Sequence, residues 1–270
     1  MEKPDNILEV RDLKVWFPVR KGVFGLTAGY VKAVDGISFD LRRGETLGVV
    51  GESGCGKSTT SRAVLLLNKP TSGTIKVDGV DISTLGRRDM MAYRRKVQVV
   101  FQDPQASLNP RHTVMEILTE GMVCHGLCKN PERRGKAVEL LKSVGMPEDI
   151  LERYPHEFSG GQRQRLCIAR AIALKPELLI CDEAVSALDL TIRAQVLDLL
   201  ADLKKKLSLS ILFITHDIGV VQHFADRVIV MNKGRIVEEG PCREVIDNPK
   251  EEYTKYLMAA VPKIGRPLSA

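Results

Sequence analysis

The chain has 270 residues, 44% hydrophobic and 27% charged, a balance that excludes a disordered or collagen-like polymer. A chain this long hides roughly 70 to 75% of its unfolded surface, so its core needs no disulfide or metal staple. Forty basic against 34 acidic residues leave a net charge of +6, a mild bias that suits anionic ligands or an anionic membrane surface, but the lysines and arginines are scattered and charge alone selects no partner.

The longest apolar runs, Leu178 to Cys181 and Ile211 to Ile214, fall far below the ~20 residues of a membrane-spanning helix. The opening MEKPDNILEV lacks the basic-then-apolar pattern of a secretory signal, so the protein is expected to stay inside the cell. The six cysteines (Cys55, Cys124, Cys128, Cys167, Cys181 and Cys242) sit in apolar or helical surroundings and read as reduced thiols.

In chain order, Ile7 to Val10, Val31 to Leu41 and Thr74 to Val77 read as antiparallel strands flanking a parallel sheet. The sheet itself is expected from four continuous apolar runs, LGVV (47–50), VQVVF (97–101), LLIC (178–181) and ILFIT (211–215), which suit parallel strands covered on both faces. Gly51, Gln102, Asp182 and His216 follow these runs directly. Ligands of open α/β sheets bind beyond the carboxyl ends of the strands, so four such ends point to one shared site.

GESGCGKS, Gly51 to Ser58, matches G-x-x-x-x-G-K-[ST] between the first of these strands and a predicted helix over 59–67. Its glycines let successive N–H groups turn toward a polyphosphate, and the helix start adds favourable partial charge. Gly51, Ser53, Gly54, Cys55, Gly56, Lys57, Ser58 and Thr59 are the expected contacts, with Lys57 the mobile cation and Ser58 a hydroxyl ligand for Mg²⁺.

Residues 113–153 read as two or three helices broken at Gly126, Pro131, Gly145 and Pro147, and are assigned to a helical subdomain. FSGGQRQRLCIARAIAL, Phe158 to Leu174, then begins with a capping Ser159 and two glycines and continues as an amphipathic helix. A chain that already holds a phosphate loop gains a second anion-binding helix start only if that start completes another copy's site. This reading places nucleotide in the seam of a dimer.

LLICDE ends a buried strand in two carboxylates that point to opposite sides. Asp182 is assigned to Mg²⁺, and Glu183 to orienting and deprotonating an attacking water. Thr191 to Leu207 carries Ile192, Val196, Leu199, Leu200, Leu203 and Leu207 on one helical stripe, while Lys204 to Lys206 read as a solvated face. Cys124-His125-x-x-Cys128 lacks the second cysteine pair of a zinc site, so no zinc is expected there.

GESGCGKS, Gln102, FSGGQ, LLICDE, SALD and His216 together resemble the ATP-binding-cassette ATPases over nearly the whole chain. The resemblance implies an α/β fold: a P-loop, RecA-like core with a parallel sheet, a flanking antiparallel β subdomain and a helical subdomain at about 104–160. It implies an ATPase unit over 1–245 and a short C-terminal extension over 246–270. It also implies ATP and Mg²⁺ as ligands, with Gln102 touching Mg²⁺ and water at the junction with a transmembrane partner. Ser159, Gly160, Gly161 and Gln162 would act in trans, Ser186 to Asp189 would cross the dimer seam, and His216 would reach the γ-phosphate. Phe17 looks like the aromatic that stacks on adenine, with the adjacent Trp16 as the alternative. Ala184 stands where most members carry proline and Phe158 where most carry leucine; neither change removes a catalytic atom.

FQDPQASLNPR (101–111) and NPKEEYTKYLMAAVP (248–262) look like the ATPase subunits of dipeptide, oligopeptide and nickel importers. That likeness implies a second, non-identical ATPase bound head to tail, two transmembrane permeases, an extracytoplasmic solute-binding protein, and a place at the cytoplasmic face of the membrane. Cys242 is alone after Cys181, so no iron–sulfur cluster is expected. A cassette acting on nucleic acid or ribosomes is the rival reading; the single cassette and the lack of an aromatic-rich basic stripe argue against it. A regulatory cassette that binds ATP without hydrolysing it is a third.

Overall fold

The computed structural model describes residues 5–21 and 26–259. The chain opens with β1 (Asn6–Lys21), β2 (Leu26–Arg42), β3 (Thr46–Val50), α1 (Lys57–Val64), β4 (Ser72–Val77), β5 (Val80–Asp81), α2 (Arg87–Lys96) and β6 (Val97–Phe101). Helices α3 (Pro104–Ser107), α4 (Val114–Cys124), α5 (Arg133–Ser143) and α6 (Gly160–Ile172) follow with no strand among them. The remainder is β7 (Leu178–Asp182), α7 (Leu190–Leu207), β8 (Ser210–Thr215), α8 (Ile218–Phe224), β9 (Arg227–Asn232), β10 (Arg235–Pro241), α9 (Cys242–Asp247) and α10 (Glu252–Ala259).

The central sheet has the order β10–β9–β3–β8–β7–β6, and every pairing from β9 to β6 is parallel. Its four predicted strands are β3, β6, β7 and β8, and every residue of β3, β7 and β8 is buried. Successive residues alternate between two cores. Leu178, Ile180, Leu212 and Ile214 pack toward the antiparallel sheet β2–β1–β4–β5 with α1 between the sheets, while Leu179, Cys181, Ile211 and Phe213 pack toward the helical side. Each such Leu, Ile or Phe contributes roughly 1.5–3 kcal/mol on burial, which fixes the strand register and with it the position of the strand ends.

Two sequence expectations change in detail. Helix α1 runs from Lys57 to Val64 rather than over 59–67. It stops because Leu66 takes a left-handed φ of +57°, Leu66 N–H bonds Ala63 O at 3.0 Å and Leu67 N–H bonds Arg62 O at 2.8 Å, a helix stop made without glycine. β1 and β2 form a ribbon far longer than the short alternating stretches, bulged where Asp12 turns to a φ of +46°. Among the described residues no helix is long and apolar enough to cross a membrane.

Candidate active site

The glycines of the loop between β3 and α1 answer to different constraints. A Cβ on Gly51 would lie 2.2 Å from Met231 O and one on Gly56 2.3 Å from Ala33 O, whereas Gly54, at φ +83°, faces open space. The turn is tied to the β9–β10 hairpin by Gly234 N–H bonding Cys55 O at 2.9 Å. Lys57 is only 5% exposed, and its ammonium donates to Gly51 O at 2.6 Å and Glu52 O at 2.9 Å. The cation is thus folded over the loop, within reach of a phosphate that would compete for its protons. Burial raises the Cys55 thiol above its ordinary range despite the neighbouring Lys57, so it stays protonated at neutral pH.

Asp182 closes β7 and is fixed from α1: its Oδ1 accepts Ser58 Oγ–H at 2.9 Å and its Oδ2 accepts Ser61 Oγ–H at 2.8 Å. Ser61 escaped the sequence reading, although its spacing of three from Ser58 places both hydroxyls on one helix face. Among the described residues no group of three or more His, Cys, Asp and Glu side chains could hold a metal. One carboxylate, one hydroxyl and the Gln102 amide form instead an all-oxygen set. That suits Mg²⁺, which takes one or two carboxylates and completes its shell with substrate phosphates and water.

Glu183 follows with a φ of +54°, a left-handed conformation that costs a non-glycine residue roughly 1–2 kcal/mol and turns its side chain away from Asp182. The turn is held by Glu183 N–H on Ile214 O at 2.9 Å. Glu183 Oε2 accepts the Ser186 hydroxyl and lies 2.8 Å from His216 Nδ1. Both contacts fall on Oε2, and neither involves Oε1. Ser53, Gly54, Gly56, Lys57, Ser58 and Thr59 of the loop line a cavity of about 260 Å³ with Gln102, Glu183 and His216 from three strand ends. Gly51 and Cys55 are buried and do not line it. Asp182 does not line it; with Ser58 and Gln102 it lines an adjoining cavity of about 520 Å³ that Arg62 and Arg170 border.

Phe17 and Trp16 do not line the cavity. They point to opposite faces of β1. Trp16 is engaged: its Nε1–H donates to Asp35 Oδ1 at 3.1 Å and Lys32 Nζ sits 4.5 Å from its ring. Phe17 keeps 42% of its surface exposed.

Ser159, Gly160, Gly161 and Gln162 also lie outside the cavity. Ser159 and Gln162 satisfy one another in a capping box that starts α6. Asp189 caps α7 through Ile192 N–H at 2.9 Å, leaving Leu190 77% exposed. The two helix starts touch at Gly161, where an added Cβ would lie 2.4 Å from Ile192 Cγ2, while Gly160 has nothing within 4 Å. Gly161→Ala is therefore expected to lose about 1–3 kcal/mol by overpacking. Gly160→Ala should unfold like the wild type in urea, and equal midpoints for the two variants would contradict the contact.

Together the phosphate loop, the strand-end carboxylates and the parallel sheet define a P-loop nucleoside-triphosphatase fold. The ABC transporter family profile matches residues 34–186. The chain is 51% identical to the oligopeptide transport ATP-binding protein AppF of Bacillus subtilis over 96% of its length and 79% of AppF's. It is 46% identical to the dipeptide transport ATP-binding protein DppF of Escherichia coli, covering 96% of this chain and 77% of DppF. The glutathione import ATP-binding protein GsiA of Salmonella typhimurium is 50% identical over 96% of this chain, which spans 41% of that longer protein. Among solved structures, cbiO1 of Clostridium perfringens, part of the ABC transporter complex cbiONQ, superposes with a TM-score of 0.77 at 31% identity, covering 91% of this chain and 92% of that one. A dimeric ATP-binding cassette in a post-hydrolysis state with ADP and phosphate gives 0.76 at 28%, covering 87% and 99%. The chain belongs to the ABC transporter family. It is an ATP-binding chain of that family, and its hydrolysis of ATP is coupled to transport.

Proposed function

We propose that this chain is the ATP-hydrolysing subunit of a peptide importer, working as one half of a head-to-tail pair of cassettes beneath two transmembrane permeases at the cytoplasmic face of the membrane. The observation that carries this reading is a division of the site. Lys57, Ser58, Gln102, Glu183 and His216 share one cavity, while the capped α6 start, Ser159 to Gln162, stands exposed outside it. The capping box engages the Ser159 and Gln162 N–H groups, the first N–H groups of a helix have no intrahelical partner and suit an anion, and the γ-phosphate of a nucleotide held by a second cassette is the anion this start fits.

In this mechanism the loop N–H groups of Gly54 to Thr59 and the Lys57 ammonium hold the β- and γ-phosphates, and Phe17 offers its exposed ring to the adenine. Ser58, Asp182 and Gln102 would hold Mg²⁺, which neutralises phosphate charge when bound. Glu183 takes a proton from the attacking water at Oε1 while Ser186 and His216 fix Oε2. His216, engaged through Nδ1, presents its other nitrogen toward the γ-phosphate. Asp189 and the exposed Leu190 belong to the loop that meets the opposite cassette. Loss of the γ-phosphate removes the bridge between the two chains and lets the pair reopen.

The solute assignment rests on the names of relatives, two of which are peptide transport proteins. Deleting the gene and measuring uptake of labelled di- and oligopeptides tests it. The reading requires that uptake be lost and that the wild-type chain restore it where Lys57→Ala does not. Intact peptide uptake with lost nickel accumulation would assign the chain to metal import instead.

A further inference from the structure

The C-terminal helix reaches the phosphate loop. Tyr253, on α10, packs with Leu257 and Met258 against the main core, and its hydroxyl accepts the backbone N–H of Glu52 at 3.2 Å across 201 residues of sequence. Glu52 lies inside GESGCGKS. Its carbonyl is already engaged by Cys55 N–H at 3.3 Å and by Lys57 Nζ at 2.9 Å, so the two peptide units that flank the Glu52 Cα are both held. The helix is itself pinned to β10, where the two carboxylate oxygens of Glu238 accept Lys250 N–H at 2.9 Å and Glu251 N–H at 3.2 Å. A continuous connection therefore runs from β10 through α10 to the first turn of the loop.

We infer that α10 is a strap on the nucleotide site and that Tyr253 is a positioning residue, which holds the start of the phosphate loop in its binding conformation through Glu52. This rests on the nucleotide reading above and extends it to a part of the chain outside the cavity. When Lys57 turns toward a phosphate its bond to Glu52 O is given up, and the Tyr253 hydroxyl on the Glu52 N–H remains, with Cys55 N–H on the carbonyl, to keep this residue in place. Coupling of this kind is reciprocal, so nucleotide must also tighten the docking of α10.

The test uses the full chain, a fluorescent ATP analogue and two matched variants. Tyr253→Phe keeps the ring and removes the hydroxyl; Tyr256→Phe makes the same change at a position 63% exposed on the same helix. Loss of one hydrogen bond predicts a roughly three- to tenfold rise in Kd and in KM for Tyr253→Phe with kcat nearly unchanged. Tyr256→Phe should bind like the wild type. In the wild type alone, the analogue should slow amide exchange in α10, which tests the coupling without any variant. Binding by Tyr253→Phe equal to wild type, equal weakening by Tyr256→Phe, or α10 exchange indifferent to nucleotide would each overturn the strap. Failure of the wild-type chain itself to bind the analogue would overturn the nucleotide reading and the strap with it.

Discussion

Glu183→Gln is expected to lower kcat by about 10²–10⁴ while leaving ATP affinity close to wild type, because the amide preserves shape and the contacts of one oxygen but cannot accept a proton from water. The proposed general-base role rests on the local geometry. The backbone turns to a φ of +54° immediately after the last buried residue of β7, which carries the carboxylate out of the sheet and away from Asp182. Ser186 and His216 then hold one oxygen and leave the other free. Single-turnover hydrolysis and analogue binding measured on the same preparation separate the two effects. A variant that retains turnover would take the general-base role from Glu183 and favour a site that acts by positioning alone.

The second large effect concerns backbone shape. Gly56→Ala is expected to cost about 3 kcal/mol or more and to abolish nucleotide binding, since its φ of +110° is outside the region open to alanine and the new Cβ would meet Ala33 O, a backbone atom that cannot swing aside. Gly56 caps α1, so a shift there misdirects the N–H groups of Lys57 and Ser58 together. Gly54→Ala provides the comparison. Its φ of +83° is strained for alanine, but nothing lies within 4 Å, and a loss of about 1–2 kcal/mol is expected. Urea unfolding with and without ATP measures both; a Gly56→Ala chain as stable and as competent as Gly54→Ala would show that the close approach to Ala33 is not a constraint.

The parts of this molecule that were legible in its sequence are those where local chemistry and tertiary role coincide. Continuous apolar runs mark β3, β6, β7 and β8 because strands covered on two faces are built mostly of apolar side chains. The phosphate loop is legible because backbone positions such as Gly56 accept no other residue type. The stretches Ile7 to Val10 and Val31 to Leu41 marked β1 and β2, but the full length of the ribbon was hidden by its polar residues and by the bulge at Asp12, which breaks the alternation on which a strand is recognised. Strand β9 had a signal that was passed over, the apolar run Val228 to Met231 before the turn at Lys233 and Gly234. The Ser61 hydroxyl on Asp182 was within reach of helical spacing, but the hydroxyl of Tyr253 on Glu52 was not, because no local pattern encodes a contact between residues this far apart.

Subunit mixing tests the two-chain site most directly. Lys57→Ala should disable the phosphate loop and Ser159→Arg, at an exposed helix start, should disable the opposing surface, so each variant alone should be inactive. Where the isolated chain pairs with itself, equal mixing and exchange leave half the pairs with one intact composite site of two, and about a quarter of the wild-type rate should return. If the mixture stays dead while the wild-type chain alone hydrolyses ATP, each site lies within a single chain and the shared-nucleotide account is wrong.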